Sequence, residues 1–296
     1  MADTPLAAPD PAAVRHQRRR LARGEGAPWL HQEIARRMAE RLVVIREPAA
    51  HWLDWGGFIG GGRAAVQSVW PAARVSVVEP DAALLARSRE LAQGPWWRGR
   101  KPQWPVLAEQ EVPAAGAGLL WANMQLHAAE DAGALITAWR RALQVGGYLM
   151  FSTFGPDTLA ELREIYAEAG WPAPHPPYAD MHDIGDALVQ AGFADPVMDQ
   201  EVLRLNWSGP AQLVAELRGL GGHLGRQRHP GLRTPRWRER LHAALARRAD
   251  AQGRITMRFE VVYGHALRAA AHREDDGSTR VALDSLRDGQ GRLRRR

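Results

Sequence analysis

Leu30, Ile34, Met38 and Leu42 recur every four residues through a stretch that is otherwise polar. That spacing lays four apolar side chains along one stripe and predicts a helix over residues 28 to 42. An apolar run from Leu42 to Ile45 follows, broken by Pro48, and then the period changes. Residues 52–53, 74–78, 106–107, 118–123 and 148–153 are short apolar runs of the kind that forms buried parallel strands. Helical spacing returns between them. It runs from about Arg63 through Val66 and Val69, over 132–143 with Leu135, Ile136, Trp139 and Leu143 at core positions, over 158–169 with Leu159, Leu162, Ile165 and Tyr166 on one face, and over 183–191. Gly146 and Gly147 read as the stop of the 132–143 helix. Asp157 or Thr158, and then Asp183, read as N-caps of the two helices that follow. Strands are expected again at 196–207 and 254–267, with an arginine-rich helical block at 208–250 between them. Seven strands, alternating with helices over the first two thirds, predict a single α/β domain with a mostly parallel sheet.

The turn after the first strand carries the candidate chemistry. Residues 51 to 63 read His-Trp-Leu-Asp-Trp-Gly-Gly-Phe-Ile-Gly-Gly-Gly-Arg. Asp54 ends the strand, and Gly56, Gly57, Gly60, Gly61 and Gly62 follow it before the next helix. Strand, glycine turn and helix make the first half of a nucleotide-binding βαβ unit. The second half ends in Glu79, 25 residues beyond Asp54. An acid at that strand tip can bind both ribose hydroxyls of an adenosine. The strict G-x-G-x-x-G string is absent, which argues against a dinucleotide. Asn123, Met124, Gln125, Leu126 and His127 follow the fourth strand, so they belong to the same rim of the sheet.

Composition narrows the picture. The chain has 296 residues, long enough for a substantial core. It contains no cysteine, so disulfides and thiolate metal sites are excluded. No run of about 18 apolar residues and no signal-length apolar segment occurs, so a membrane span is not expected and the cytoplasm is the default location. Residues 1 to about 12 are Ala/Pro-rich and read as disordered, within a basic arm over 1–27. The globular part is expected over 28–270 and a polar, basic tail over 271–296. The net charge is +6, with arginines gathered at both ends, Arg15, Arg18, Arg19, Arg20 and Arg23 at one and Arg292, Arg294, Arg295 and Arg296 at the other. Such runs can meet nucleic acid or an acidic protein, but solvated tails are the simpler reading and no nucleic-acid role is assigned. Most of the 12 tryptophans read as packing residues.

The glycine turn resembles the first motif of class I methyltransferases, roughly Asp-x-Gly-x-Gly-x-Gly. Asp54, Gly56 and Gly60 match it, and Phe58 stands where the middle glycine belongs. Further along the resemblance becomes specific. The stretch Phe151-Ser152-Thr153-Phe154-Gly155-Pro156-Asp157-Thr158-Leu159, the stretch Asp180-Met181-His182-Asp183-Ile184-Gly185-Asp186-Ala187-Leu188 with Ala191-Gly192-Phe193, and Leu217-Arg218-Gly219-Leu220-Gly221-Gly222 are similar to the biotin-pathway malonyl-[acyl-carrier protein] O-methyltransferase family. They are also similar to a mitochondrial assembly-factor branch associated with arginine hydroxylation. The resemblance implies a seven-stranded, Rossmann-like class I methyltransferase sheet with a helical insertion before the last strand. It implies S-adenosyl-L-methionine as cofactor, held by Asp54, Gly56, Gly57, Gly60, Glu79 and Asn123, and an acyl-carrier protein as partner. A carboxylate acceptor needs a cation more than it needs a base, which makes Arg218 a candidate clamp beside His127. No catalytic residue is assigned.

Three departures keep a second reading open, a binding or assembly protein that retains the fold without the chemistry. Phe58 replaces a motif glycine, Ala108 (with Glu109 adjoining) stands where an adenine-binding Asp is usual, and Gly118 opens the fourth strand where an Asp is usual. Hydroxylation ranks last, because the chain offers no redox centre.

Overall fold

A computed structural model describes residues 8–93, 102–229 and 231–270. One sheet holds the strands β1 (His51–Trp55), β2 (Arg74–Glu79), β3 (Val106–Ala108), β4 (Ala117–Asn123), β5 (Leu143–Phe154), β6 (Ala194–Trp207) and β7 (Ile255–Leu267) in the order β3-β2-β1-β4-β5-β7-β6. The first five run parallel, and β7 lies antiparallel between β5 and β6. The strand order reverses between β1 and β4, which opens a crevice at their C-terminal ends.

The period-two alternation of the strands sorts side chains onto two faces. Along β4, Leu119 and Trp121 enter one core cluster, whereas Leu120 and Ala122 enter the other. The predicted helix appears as α2 (Trp29–Glu40), and Leu30, Ile34, Met38 and the following Leu42 are fully buried in the first cluster with Trp52 and Trp121. Each such side chain contributes about 1.5–3 kcal/mol over an exposed one. α3 (Gly57–Gly60), α4 (Arg63–Val69) and α5 (Ala82–Ala92) follow in chain order. The opposite face is covered by α6 (Ala132–Ala142) and α8 (Met181–Gln190), through Ile136, Trp139, Ile184 and Leu188. α7 (Ala160–Glu168) follows β5, and α9 (Pro210–Leu220) and α10 (Pro235–Ala246) form the expected insertion between β6 and β7.

Several expectations need correction. Part of the supposed N-terminal arm is a helix, α1 (Pro11–Leu21). Asp10 caps it through Ala12 N at 2.8 Å, Pro11 occupies its first turn, and Arg18, Arg19 and Arg20 complement the dipole of its last turn. Gly146 and Gly147 do not stop a helix; they lie inside β5, where Gly146 N donates to Arg268 O and Arg268 N to Gly147 O. Thr158 does not cap α7. Its hydroxyl donates to Glu260 O at 2.9 Å and accepts from Glu260 N at 3.1 Å, which ties the segment to β7. The cap of α8 is Asp180, through His182 N, rather than Asp183. The 271–296 tail, Trp96 and Trp97 lie outside the described residues.

A candidate cofactor rim and an adjoining acceptor cavity

The tips of β1, β2, β3 and β4 bring the sequence-predicted cofactor residues together. Gly56 adopts a left-handed backbone (φ 68°), so any side chain there would be strained and would have to displace the Gln125 amide. Asp54 stands behind the turn. A Cβ on Gly57 would come within 2.7 Å of its Oδ2. Both rim acids are turned into the protein, 1 % exposed each. Glu79 Oε1 accepts from Phe58 N at 2.8 Å and from Ser88 Oγ at 2.6 Å, while Oε2 has no partner among the described residues. Asp54 Oδ1 is likewise unpartnered. Burial pushes the Glu79 carboxyl up to about 7, against the two hydrogen bonds, and it pushes Asp54 up to about 7, against the charge of Arg63.

Phe58, the departure from the motif, has two separable parts. Its ring is buried with Ala22, Ile59 and Leu84, between the end of α1 and the start of α5. Its amide aligns Glu79. Ala108 pairs with Glu79 across β2–β3, so the adjoining Glu109 reaches the rim in its place and accepts from Trp55 Nε1 at 3.0 Å. Gly118 sits at the far end of β4, where a Cβ would press on Ala49, so its missing carboxylate takes nothing from the rim. A cavity of about 170 Å³ opens beside the turn, walled by Asp54, Gly57, Phe58, Ser88 and Trp104.

Asn123 is fully buried and fully engaged. Its Nδ2 donates to His31 O at 2.8 Å and to Gly60 O at 2.6 Å, and its Oδ1 accepts from Ser152 Oγ at 2.6 Å. It therefore fastens α2, the glycine turn and β5 to the tip of β4. Gln125 donates from Nε2 to Asn123 O at 2.9 Å and lies over Gly56.

Beyond the rim lies a larger cavity of about 500 Å³, walled by α1, α7, α9, α10 and the tip of β5. It receives both predicted acceptor residues, His127 and Arg218. The His127 ring packs 4.8 Å from Phe154 and 6.0 Å from Tyr178, and Tyr178 stacks on His175 at 4.9 Å. Burial holds His127 down at about 3 and His175 at about 4, so both are neutral rings at pH 7. Burial also raises the Tyr178 phenol. Arg20 of α1 lines the same cavity and donates to Arg218 O. Sequence reasoning missed Ser88, Arg20, His175 and Tyr178 as site residues. Only the Asp10-Pro11 start of α1 gave a local signal, and it concerned Arg20 alone.

The residues fit an adenosyl cofactor on one direct observation. A buried carboxylate oxygen, Glu79 Oε2, lacks the donor that a ribose hydroxyl would supply.

No protein-family model matches the chain. Among solved structures it is similar in fold to the YcgJ protein of Bacillus subtilis (TM-score 0.54, 11% identity, 79% of this chain and 99% of that one). A provisionally assigned methyltransferase of Bacillus halodurans gives TM-score 0.52 at 12% identity, with the same coverage. The fold is that of class I methyltransferases. In sequence it is 36% identical over 278 residues to a malonyl-[acyl-carrier protein] O-methyltransferase of Gallionella capsiferriformans, covering 91% of this chain and 94% of that one. Proteins of the same name from Laribacter hongkongensis (37%; 88% and 90% covered) and Halorhodospira halophila (35%; 87% and 88%) agree. With this likeness covering at least 87% of this chain and 88% of each relative, the chain belongs to the malonyl-[acyl-carrier protein] O-methyltransferase family.

Proposed function

We propose that the protein transfers a methyl group from S-adenosylmethionine to the free carboxylate of a malonyl thioester on an acyl-carrier protein, a step of biotin synthesis in the cytoplasm. The observation that carries this reading is that one strand end serves two regions. β4 gives Asn123 to the rim and, four residues on, the segment after it gives His127 to the wall of the larger cavity.

S-adenosylmethionine, when bound, supplies a methyl group on a sulfonium. Glu79 would hold its ribose through Oε2, and the left-handed turn at Gly56 with Gly57 and Gly60 lets the backbone come close. Asp54 shapes that turn from behind, and Asn123 fixes it to α2 and β5. A carboxylate with an ordinary pKa of about 4 is ionised at pH 7, so no general base is required. What remains is placement in line with the methyl group. Arg218 offers a guanidinium suited to a carboxylate, and His127 offers a neutral wall that takes no proton. No helix of the described residues is long and apolar enough to cross a membrane. The Phe58 ring is buried with Ala22, Ile59 and Leu84 while its amide donates to Glu79, so this departure from the motif leaves the Glu79 carboxylate in place.

Incubation of the full chain with S-adenosylmethionine and malonyl-carrier protein, read by mass spectrometry, is the test. A gain of one methyl on malonyl but not on acetyl thioesters, with matching S-adenosylhomocysteine, is expected. No turnover together with no calorimetric cofactor binding would overturn the reading. Glu79→Ala is expected to weaken cofactor binding roughly 30-fold, the scale of one hydrogen bond to a charged group.

A further inference from the structure

The acceptor cavity carries an electrostatic imbalance. Four arginines line it, Arg20 on α1, Arg218 on α9, Arg233 just before α10 and Arg238 within it. No aspartate or glutamate lines it. Among the described residues none of the four is in an ion pair, whereas Arg36, Arg37, Arg41, Arg248 and Arg258 each hold a carboxylate. Arg20 is the most constrained. It is half-buried, tied to the backbone oxygen of Arg218, and both burial and the Arg218 charge work against its own. The Arg233 guanidinium lies 4.4 Å from the Trp237 ring, itself a wall of the cavity. Phe154, Leu162, Leu213 and Phe259 are among the cavity's other walls. Arg218 and Arg238 are exposed and Arg20 is half-buried, so an anion entering among them would meet guanidiniums without having to displace a carboxylate.

We infer that Arg20, Arg218 and Arg238 form an oxyanion site for the acceptor, taking an anionic group borne on an apolar acyl arm, either the terminal carboxylate or the phosphodiester of the arm's tether. The site rests on the cavity being the acceptor's, as proposed above. Guanidinium forks bind both groups bidentately. Arg20 then couples the N-terminal helix to acceptor binding.

The test uses the full chain with Arg20→Gln, Arg218→Gln and Arg238→Gln. Malonate and inorganic phosphate are titrated by thermal shift, and steady-state rates are measured with malonyl-pantetheine and malonyl-phosphopantetheine. Each variant is expected to raise KM roughly tenfold, with the cofactor Kd within twofold of the parent. A loss shared by both acceptors, with a malonate shift removed, assigns the carboxylate. A loss confined to the phosphorylated acceptor, with the phosphate shift removed, assigns the phosphodiester. Unchanged KM and unchanged anion shifts in all three variants overturn the inference. Should the parent methylate neither acceptor, the carrier-protein assay above decides the methyl-transfer reading, and the anion titrations alone decide whether the oxyanion site stands. Arg218 and Arg238 are exposed on helices, so their variants remain informative if Arg20→Gln disturbs α1.

Discussion

At the cofactor rim the polar groups are turned inward and nearly all engaged. Asn123 spends every hydrogen-bonding atom on the fold, while Glu79 Oε2 and Asp54 Oδ1 are buried without a partner among the described residues. In the acceptor cavity the arrangement is reversed, with apolar walls, neutral histidines and guanidiniums that lack carboxylates. The rim is built by consecutive strand tips and is held by the sheet. The cavity is assembled from α1, α7, α9 and α10, which lie far apart in the chain. Rim residues should therefore show in stability and in cofactor binding, and cavity residues in acceptor kinetics.

The sharpest challenge to that contrast is Phe58→Gly, which restores the motif glycine. It is expected to cost about 4 kcal/mol in urea unfolding through the lost ring, with no gain in cofactor affinity. A stable variant that binds the cofactor more tightly would mean that the ring obstructs the rim. Asn123→Ala strands His31 O and Gly60 O inside the protein, and a loss of about 3 kcal/mol is expected. The next effect is a pH dependence. Glu79 has a folded pKa raised to about 7 from an ordinary 4.5, so the folded state binds more protons than the unfolded one between those values. Its contribution to stability falls as pH rises through that window. Glu79→Gln should therefore gain on the parent from pH 4.5 to 7, on the order of 1–2 kcal/mol. The buried histidines slope the other way and Asp54 slopes the same way; all are common to both proteins, and because the Asp54 charge repels Glu79 the difference reports Glu79 together with that coupling. The smallest effect belongs to the cavity. His127→Phe should leave the melting temperature close to the parent's and lower kcat/KM for the acceptor less than tenfold, about 1.4 kcal/mol. The pH–rate profile should show no inflection near 6.5 in either protein. A large loss of kcat with a vanished inflection would make His127 a proton carrier.

The rim could be read from the sequence because its signals are local. A strand, a glycine turn and an acid at the next strand end are contiguous, and the stripe of Leu30, Ile34, Met38 and Leu42 fixes α2 beside them. The role of Phe58 could not be read, because a motif position does not tell where a ring will pack. The helix α5 escaped notice, since only Leu84, Ser88 and Ala92 of its 11 residues are buried and they make a weak stripe. The glycines at 146 and 147 misled because the cue for a helix stop is also compatible with a strand whose partner, β7, begins only at Ile255. The cavity was illegible for the same reason on a larger scale. Arg20 and Arg218 are 198 positions apart, and nothing near either one announces the other.

The helix at residues 11–21 has a practical consequence for anyone preparing the protein. A truncation begun at residue 28, where composition alone would put the domain start, strips Ala22 from the Phe58 ring and Gln17 and Arg20 from the pocket wall. Such a product keeps the whole sheet and could pass for native by circular dichroism, yet it would be a misleading proxy in any assay of either ligand.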